Sequence, residues 1–212
     1  MEELKRREFL KQACKLTGCL IIMPLATSCK VNNNPLSIPL SKPSDWNPID
    51  FNRKRGNAGA IPTSYLKDIN GPDGEKKHIG KHLPYIPEID IDIPKGFIPI
   101  MWGDPSKGYI PHPNAPADKT KNYEGHWYNW IWIRKARERW AESCQSTYSG
   151  WPQIMTGDTA GYMVSGGGDI TDKKGVNTIY IAALPEGIKK GDTLRIWAHC
   201  LTHGEYVDFI RV

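Results

Sequence analysis

The sequence predicts an all-β protein, and three observations carry that reading. Gly (20 residues) and Pro (17 residues) are numerous in a chain of 212, and long helical patterns are scarce. From about residue 78 to the C-terminus, short apolar runs alternate with turn residues. Some of these runs alternate with period two, as in Ile89-Asp90-Ile91-Asp92-Ile93 ahead of Pro94-Lys95-Gly96, which predicts strands with one buried face. With 39% hydrophobic residues and eight Trp, the chain can bury a sizeable core in one domain. Neither a second domain nor oligomerisation is required, although a homo-oligomer is compatible with the length.

Two segments have the makings of central strands. His126-Trp127-Tyr128-Asn129-Trp130-Ile131-Trp132-Ile133 is rich in aromatic and β-branched residues, and simple alternation puts His126, Tyr128, Trp130 and Trp132 on one face. In Thr193-Leu194-Arg195-Ile196-Trp197-Ala198-His199-Cys200 the same parity puts Leu194, Ile196, Ala198 and Cys200 on the apolar side and His199 on the other. Residues 134–144 are charged, contain no Gly or Pro, and are expected to form a short helix. Ser165-Gly166-Gly167-Gly168 reads as a flexible turn. It lacks the lysine and the strand–helix context of a phosphate loop.

The formal charge is +5, of which residues 1–29 contribute five Lys/Arg against three Glu, leaving about +3 for the rest. That is too mild an excess to argue for nucleic acid as a partner. Cys14, Cys19 and Cys29 lie near the N-terminus, so only Cys144 and Cys200 remain for the folded part. There is no C-x-x-C knuckle, and the alternatives for this pair are a single bridge or a chemical role for Cys200.

The first thirty residues have the three-part shape of an export signal. Lys5-Arg6-Arg7-Glu8-Phe9-Leu10-Lys11 precedes an apolar stretch over residues 16–26, well short of the ~20 residues that span a bilayer. The Arg-Arg-Glu-Phe-Leu-Lys run resembles the bacterial twin-arginine signal, with Lys5 where Ser or Thr is usual. Leu25-Ala26-Thr27-Ser28-Cys29 resembles a lipobox, which implies lipidation at Cys29 and a protein exported to the periplasm or held at a membrane by its lipid. The expected organisation is an export signal with lipobox over 1–29, a tether and irregular arm over 30–70, and a β domain over 71–212.

Four of the six histidines sit in short motifs: Lys81-His82-Leu83-Pro84, Pro111-His112-Pro113-Asn114, His126-Trp127-Tyr128-Asn129-Trp130-Ile131 and Cys200-Leu201-Thr202-His203-Gly204. Singly each reads as a surface or hydrogen-bonded histidine, and a single Cys as a small buried hydrophobe. In this order they resemble the superoxide reductase family, also called neelaredoxin or the iron domain of desulfoferrodoxin. Its pattern is K-H-x-P, then H-P, then a histidine opening an aromatic strand, then C-x-x-H-G near the C-terminus. The resemblance covers roughly residues 78–133 and 190–206.

The resemblance implies an immunoglobulin-like β-sandwich holding one non-haem iron (Fe2+/Fe3+), with His82, His112, His126 and His203 as imidazole ligands and Cys200 as axial thiolate. It implies reduction of superoxide to hydrogen peroxide with electrons from a separate donor protein. Lys81 matches the family's lysine, whose charge draws in superoxide and helps protonate the bound product. Gly80 departs from the family, which often has Glu there as a sixth ligand of ferric iron. Glu75 or His78 are the candidates to replace it. The competing readings are a non-catalytic iron or electron-transfer module, and an exported sandwich that binds a partner through exposed aromatics without a metal.

Overall fold

A computed structural model describes residues 37–70, 78–154 and 161–212. The export signal, the lipobox with Cys29, the start of the tether and Glu75 lie outside the described residues. Among the described residues, eight strands form two four-stranded antiparallel sheets packed as a sandwich. They are β1 (Pro84–Tyr85), β2 (Phe97–Trp102), β3 (Tyr128–Lys135), β4 (Ser143–Thr147), β5 (Gly161–Ser165), β6 (Thr178–Ala183), β7 (Thr193–Cys200) and β8 (Gly204–Arg211). One sheet has the order β1-β2-β6-β5 and the other β4-β3-β7-β8. Among the described residues no helix is long and apolar enough to cross a membrane.

The core lies where the inner faces meet. Ile98 and Ile100 of β2, Met163 of β5 and Tyr180 of β6 pack against Ile131 and Ile133 of β3 and Leu194, Ile196 and Ala198 of β7. Trp102 stacks on Tyr128 across the sheets with ring centroids 3.6 Å apart. Strand β7 follows the predicted parity, alternating partly exposed and buried from Thr193 to Cys200. The outer face of β6 and β5 is also covered, because Ile89 and Ile93 pack over Tyr162, Ile179 and Ile181.

Three local expectations are corrected. The alternating run from Ile89 to Ile93 is not a strand, since Pro87 and Pro94 lack the N–H groups a ladder needs, and the segment serves as a covering loop. Residues 134–144 are not a helix. Arg134 and Lys135 finish β3, residues 136–142 form a loop, and β4 begins at Ser143. The Arg134 guanidinium donates to the carbonyls of Lys135, Arg137 and Arg139, satisfying in a loop the acceptors a helix would have used. The parity of β3 also breaks: Tyr128 pairs with Cys200 but Trp130 pairs with His199, so Asn129 is an extra residue, a β-bulge. The bulge leaves Tyr128 inward and turns Trp130 and Trp132 outward against Trp197, while Ile131 and Ile133 enter the core.

The expected irregular arm carries ordered structure. Helix α1 (Pro48–Arg55) starts at Asn47, whose side chain accepts from the N–H groups of Ile49 and Asp50, and ends in a wide turn over Gly56–Ala60. Helix α2 (Thr63–Asn70) follows. Asn52 fastens α1 to β8, donating to the Val207 carbonyl and accepting from the Val207 N–H at 2.8 Å each. Trp46 donates its ring N–H to the buried Asp208 carboxylate at 2.8 Å, and the Phe209 N–H donates to the same oxygen.

Burial raises the Asp208 carboxyl above its ordinary range, an effect those donors only partly offset. A carboxyl whose folded pKa is raised costs stability once ionised, so Asp208→Asn, whose side-chain oxygen can still accept both bonds, is expected to raise the melting temperature at pH 7. The gain should shrink as pH falls through the raised pKa and vanish below the ordinary carboxylate value. Thermal melts at pH 7 and near pH 4 check the sign.

Candidate metal centre

The backbone brings the four histidine motifs to one end of the sandwich. The His112 N–H donates to the carbonyl of Trp102 at the end of β2. His126 exchanges both backbone hydrogen bonds with Ala115, so the segments carrying His112 and His126 are tied together. Leu83, next to His82, accepts from the Gly103 N–H beside the end of β2. Cys200 closes β7, and the tight turn to β8, in which the His203 N–H donates to the Cys200 carbonyl at 3.2 Å, swings His203 back toward the thiol.

The side chains converge accordingly. His82, His112, His126, Cys200 and His203 each offer one donor atom, and these five atoms lie within 4.8 Å of one another. Nδ1 of His203 is 3.0 Å from Nε2 of His82 and 2.9 Å from Nε2 of His126. Sγ of Cys200 is 3.5 Å from Nε2 of His112 and 3.8 Å from Nδ1 of His203. Two imidazole nitrogens bound at right angles to one ion at about 2.1 Å lie about 3.0 Å apart, so the spacing fits a shared cation. Hydrogen bonding fits less well, because one ring nitrogen of His203 faces two others and offers a single lone pair or proton.

Burial sets the protonation of the group. It pushes all four imidazoles below their ordinary range, His126 to about 3 and His203 to about 2, and the Lys81 ammonium adds to the depression at each. The histidines are therefore neutral at pH 7 and their nitrogens are free to bind a metal. Burial pushes the Cys200 thiol up to about 12, with the turn amides and Lys81 pulling the other way. A metal ion reverses that balance by displacing the proton. Four neutral imidazoles and one sulfur make a borderline-soft set suited to first-row transition metals and poorly suited to Mg2+ or Ca2+.

Several residues that shape the site carry no sequence motif. Tyr206 of β8 stacks on His82 with centroids 4.4 Å apart and planes 11° apart. Tyr65 of α2 lies 3.9 Å from the His203 ring, and its hydroxyl meets Nδ1 of His78 at 3.1 Å. His78 is thus engaged by Tyr65 and is not one of the five grouped donors. Asn114 accepts from the Tyr180 hydroxyl at 2.6 Å and donates to the Gly175 carbonyl, pinning the His112 loop to β6. At Gly80 the left-handed φ of +70° and the Tyr109 ring, 2.3 Å from where a Cβ would sit, rule out a side chain as the chain is packed. His199 lies outside the group, stacked on Trp130 and bonded through Nδ1 to the Asn129 side chain at 2.6 Å. Cys144 and Cys200 form no disulfide bridge with each other.

No family model, curated protein or solved structure matches the chain.

Proposed function

We propose that this protein binds one non-haem iron through His82, His112, His126, His203 and Cys200 and reduces superoxide to hydrogen peroxide, drawing electrons from a separate donor protein. The convergence of five N and S donors within 4.8 Å, four from buried residues and one from the half-buried His203, carries the reading. Five donors exceed the four that tetrahedral zinc takes, and imidazole with thiolate suits iron. The resemblance of the four ordered motifs to superoxide reductases supplies the reaction, and the immunoglobulin-like connectivity of that family belongs to the same proposal. So does export, with a lipid on Cys29 as the membrane anchor.

Bound iron supplies a one-electron Fe2+/Fe3+ couple, and each superoxide takes one electron and two protons to leave as hydrogen peroxide. The chain's own residues set the conditions. The four neutral imidazoles leave the Cys200 proton as the one a metal must displace, and Tyr206, Tyr65 and Tyr128 wall the cluster against bulk water. Lys81 holds a positive charge felt by all five donors, which favours entry of a small anion and keeps a proton donor at hand.

The test combines iron content, the visible spectrum after mild oxidation, and superoxide consumption under pulse radiolysis. Peroxide formation without oxygen evolution is expected. Iron binding with no fast consumption would leave a non-catalytic iron module, and absence of iron would end the proposal. Lys81→Ala should keep its iron yet react about threefold to tenfold more slowly at low salt, with the difference shrinking near 0.1 M, where the screening length is about 10 Å. His199→Gln serves as the control and should spare both iron and rate. Equal rates for Lys81→Ala and the parent at every salt concentration would remove Lys81 from the reaction.

A further inference from the structure

The loop between β3 and β4 exposes Trp140 at 82%, the highest value among the large hydrophobic side chains of the described residues. Nothing in the proposed chemistry uses it. The loop sits at the end of the sandwich opposite the metal centre, because β3 runs from Tyr128, paired with Cys200, to Lys135, paired with Leu194 near the start of β7. Thr193 lies seven residues up β7 from Cys200, roughly 23 Å at about 3.3 Å per residue.

The N-terminal arm reaches the sandwich at this same end. The Pro39 carbonyl accepts from the Arg195 guanidinium at 3.0 Å, and the Ser41 hydroxyl donates to Glu138, two residues from Trp140, at 2.9 Å. Eight residue steps separate Cys29 from Ser37, and at no more than ~3.6 Å each they keep this end within about 29 Å of anything attached to Cys29. The arm then runs along β8 through α1, whose Pro48, Ile49 and Asn52 line a cavity with His82, and closes on the metal centre at Ala60 and Tyr65.

We propose that the Trp140 end of the sandwich docks on an anionic lipid surface, with Trp140 seated at the level of the headgroups and the metal centre facing away from the bilayer. The lipid-anchor reading of Cys29 supplies the tether on which this orientation rests. Arg137 and Arg139 precede the tryptophan in the same loop, and across a cleft of about 410 Å3 the facing loop adds exposed Lys189 and Lys190. Exposed Glu142 and Glu186 line the same cleft, and Glu138 is turned to Ser41. A lone indole with basic neighbours matches an interfacial anchor, in which the ring sits between acyl chains and headgroups while each nearby Arg or Lys adds attraction to anionic lipid. A stable protein partner would need about 1,000 Å2 of complementary surface with an apolar centre, and a single ring among mixed charges does not supply that centre. The outcome is geometric: anchoring and docking at one end present the iron site to the aqueous phase, where superoxide and a donor protein arrive.

The experiment uses the full chain with vesicles of phosphatidylcholine, with and without phosphatidylglycerol, whose acyl chains are brominated. Trp140 is the one exposed tryptophan of the eight, so contact quenching reports chiefly on it. Fluorescence of the parent should fall on anionic vesicles, and Trp140→Ala, at a position with little packing to lose, should forfeit most of that quenching. The pair Arg137→Glu and Arg139→Glu should abolish the preference for phosphatidylglycerol. Equal quenching in the parent and Trp140→Ala, or none in either, overturns the proposal, as does capture by a soluble protein with no response to lipid. Intact mass of membrane-extracted chain reports separately on Cys29. A chain without lipid whose Trp140 is still quenched retains the docking surface and loses the anchor, and a lipidated chain without quenching does the reverse.

Discussion

Cys200→Ser is expected to keep the sandwich and lose the thiolate-to-iron absorption of the oxidised protein, together with at least a tenfold loss of metal affinity. The Cys200 side chain is fully buried at the end of β7, with Sγ 3.5 Å from His112 Nε2, and it is the sole sulfur among the five donors. A serine hydroxyl there binds iron weakly and costs roughly 1–3 kcal/mol as a buried polar group, so some stability falls with the spectrum. The pH dependence separates the sulfur from the imidazoles. Burial holds the Cys200 thiol protonated, with its pKa near 12, while His126 and His203 are pushed down to about 3 and about 2. At neutral pH the metal therefore competes with one proton, the one on sulfur. Affinity should rise about tenfold per pH unit, with about one proton released per ion, and acidification should weaken binding. In Cys200→Ser that slope should largely disappear. Metal titrations in buffers of different ionisation enthalpy measure the proton directly. An oxidised spectrum identical to the parent's would exclude the sulfur as a ligand.

The sandwich and the five-donor cluster were legible in the sequence to different depths, for physical reasons. Strand β7 alternates strictly, because one of its faces meets the core and the other meets the arm, so parity alone put Cys200 inward and His199 outward. Strand β3 defeats the same rule through one residue, Asn129, whose side chain binds His199 and whose insertion flips Trp130 and Trp132 to the outside. Nothing in the period of a short aromatic run announces a bulge. The segment after β3 has the composition of a helix, but Arg134 spends its guanidinium on three loop carbonyls, a tertiary choice invisible to local propensity. The grouping of His82, His112, His126, Cys200 and His203 was readable because each sits in a compact motif. Tyr65 and Tyr206 were not, since each touches the site through a ring contact that leaves no spacing rule in the sequence. Residues 30–70 read as a tether and irregular arm because of Asn32-Asn33-Asn34-Pro35 and the further Pro and Ser, which hides the helices over 48–70. Their fastening to β8 depends on Asn52 and on the glycine that follows His203.

Gly204→Ala is expected to lower the melting temperature by roughly 5 °C or more and to detach the arm from the metal centre. Gly204 has φ +82°, and a Cβ there would lie 2.3 Å from the Ala60 carbonyl oxygen and 2.9 Å from the Ile61 Cα. The left-handed backbone costs an L-residue about 1–2 kcal/mol, and a clash with main chain, which cannot rotate away as a side chain can, adds about 1–3 kcal/mol. For a domain of this size about 1 kcal/mol corresponds to roughly 2–4 °C. The consequence for the site follows from what Ala60 leads into. Ile61 packs with Tyr65 and Tyr206, Tyr206 stacks on His82, and Tyr65 covers His203, so the seam at Gly204 holds two histidines in place through three neighbours. Relief of the clash by withdrawal of the arm should therefore expose residues 56–66 to protease and loosen His82 and His203 together, which metal dissociation rates would register. Pro62→Ala, which leaves Gly204 intact, offers a comparison in which the arm loses one ring contact but meets no obstruction. A Gly204→Ala protein with parental melting temperature and parental protease resistance would mean that the arm does not close on the C-x-x-H-G turn.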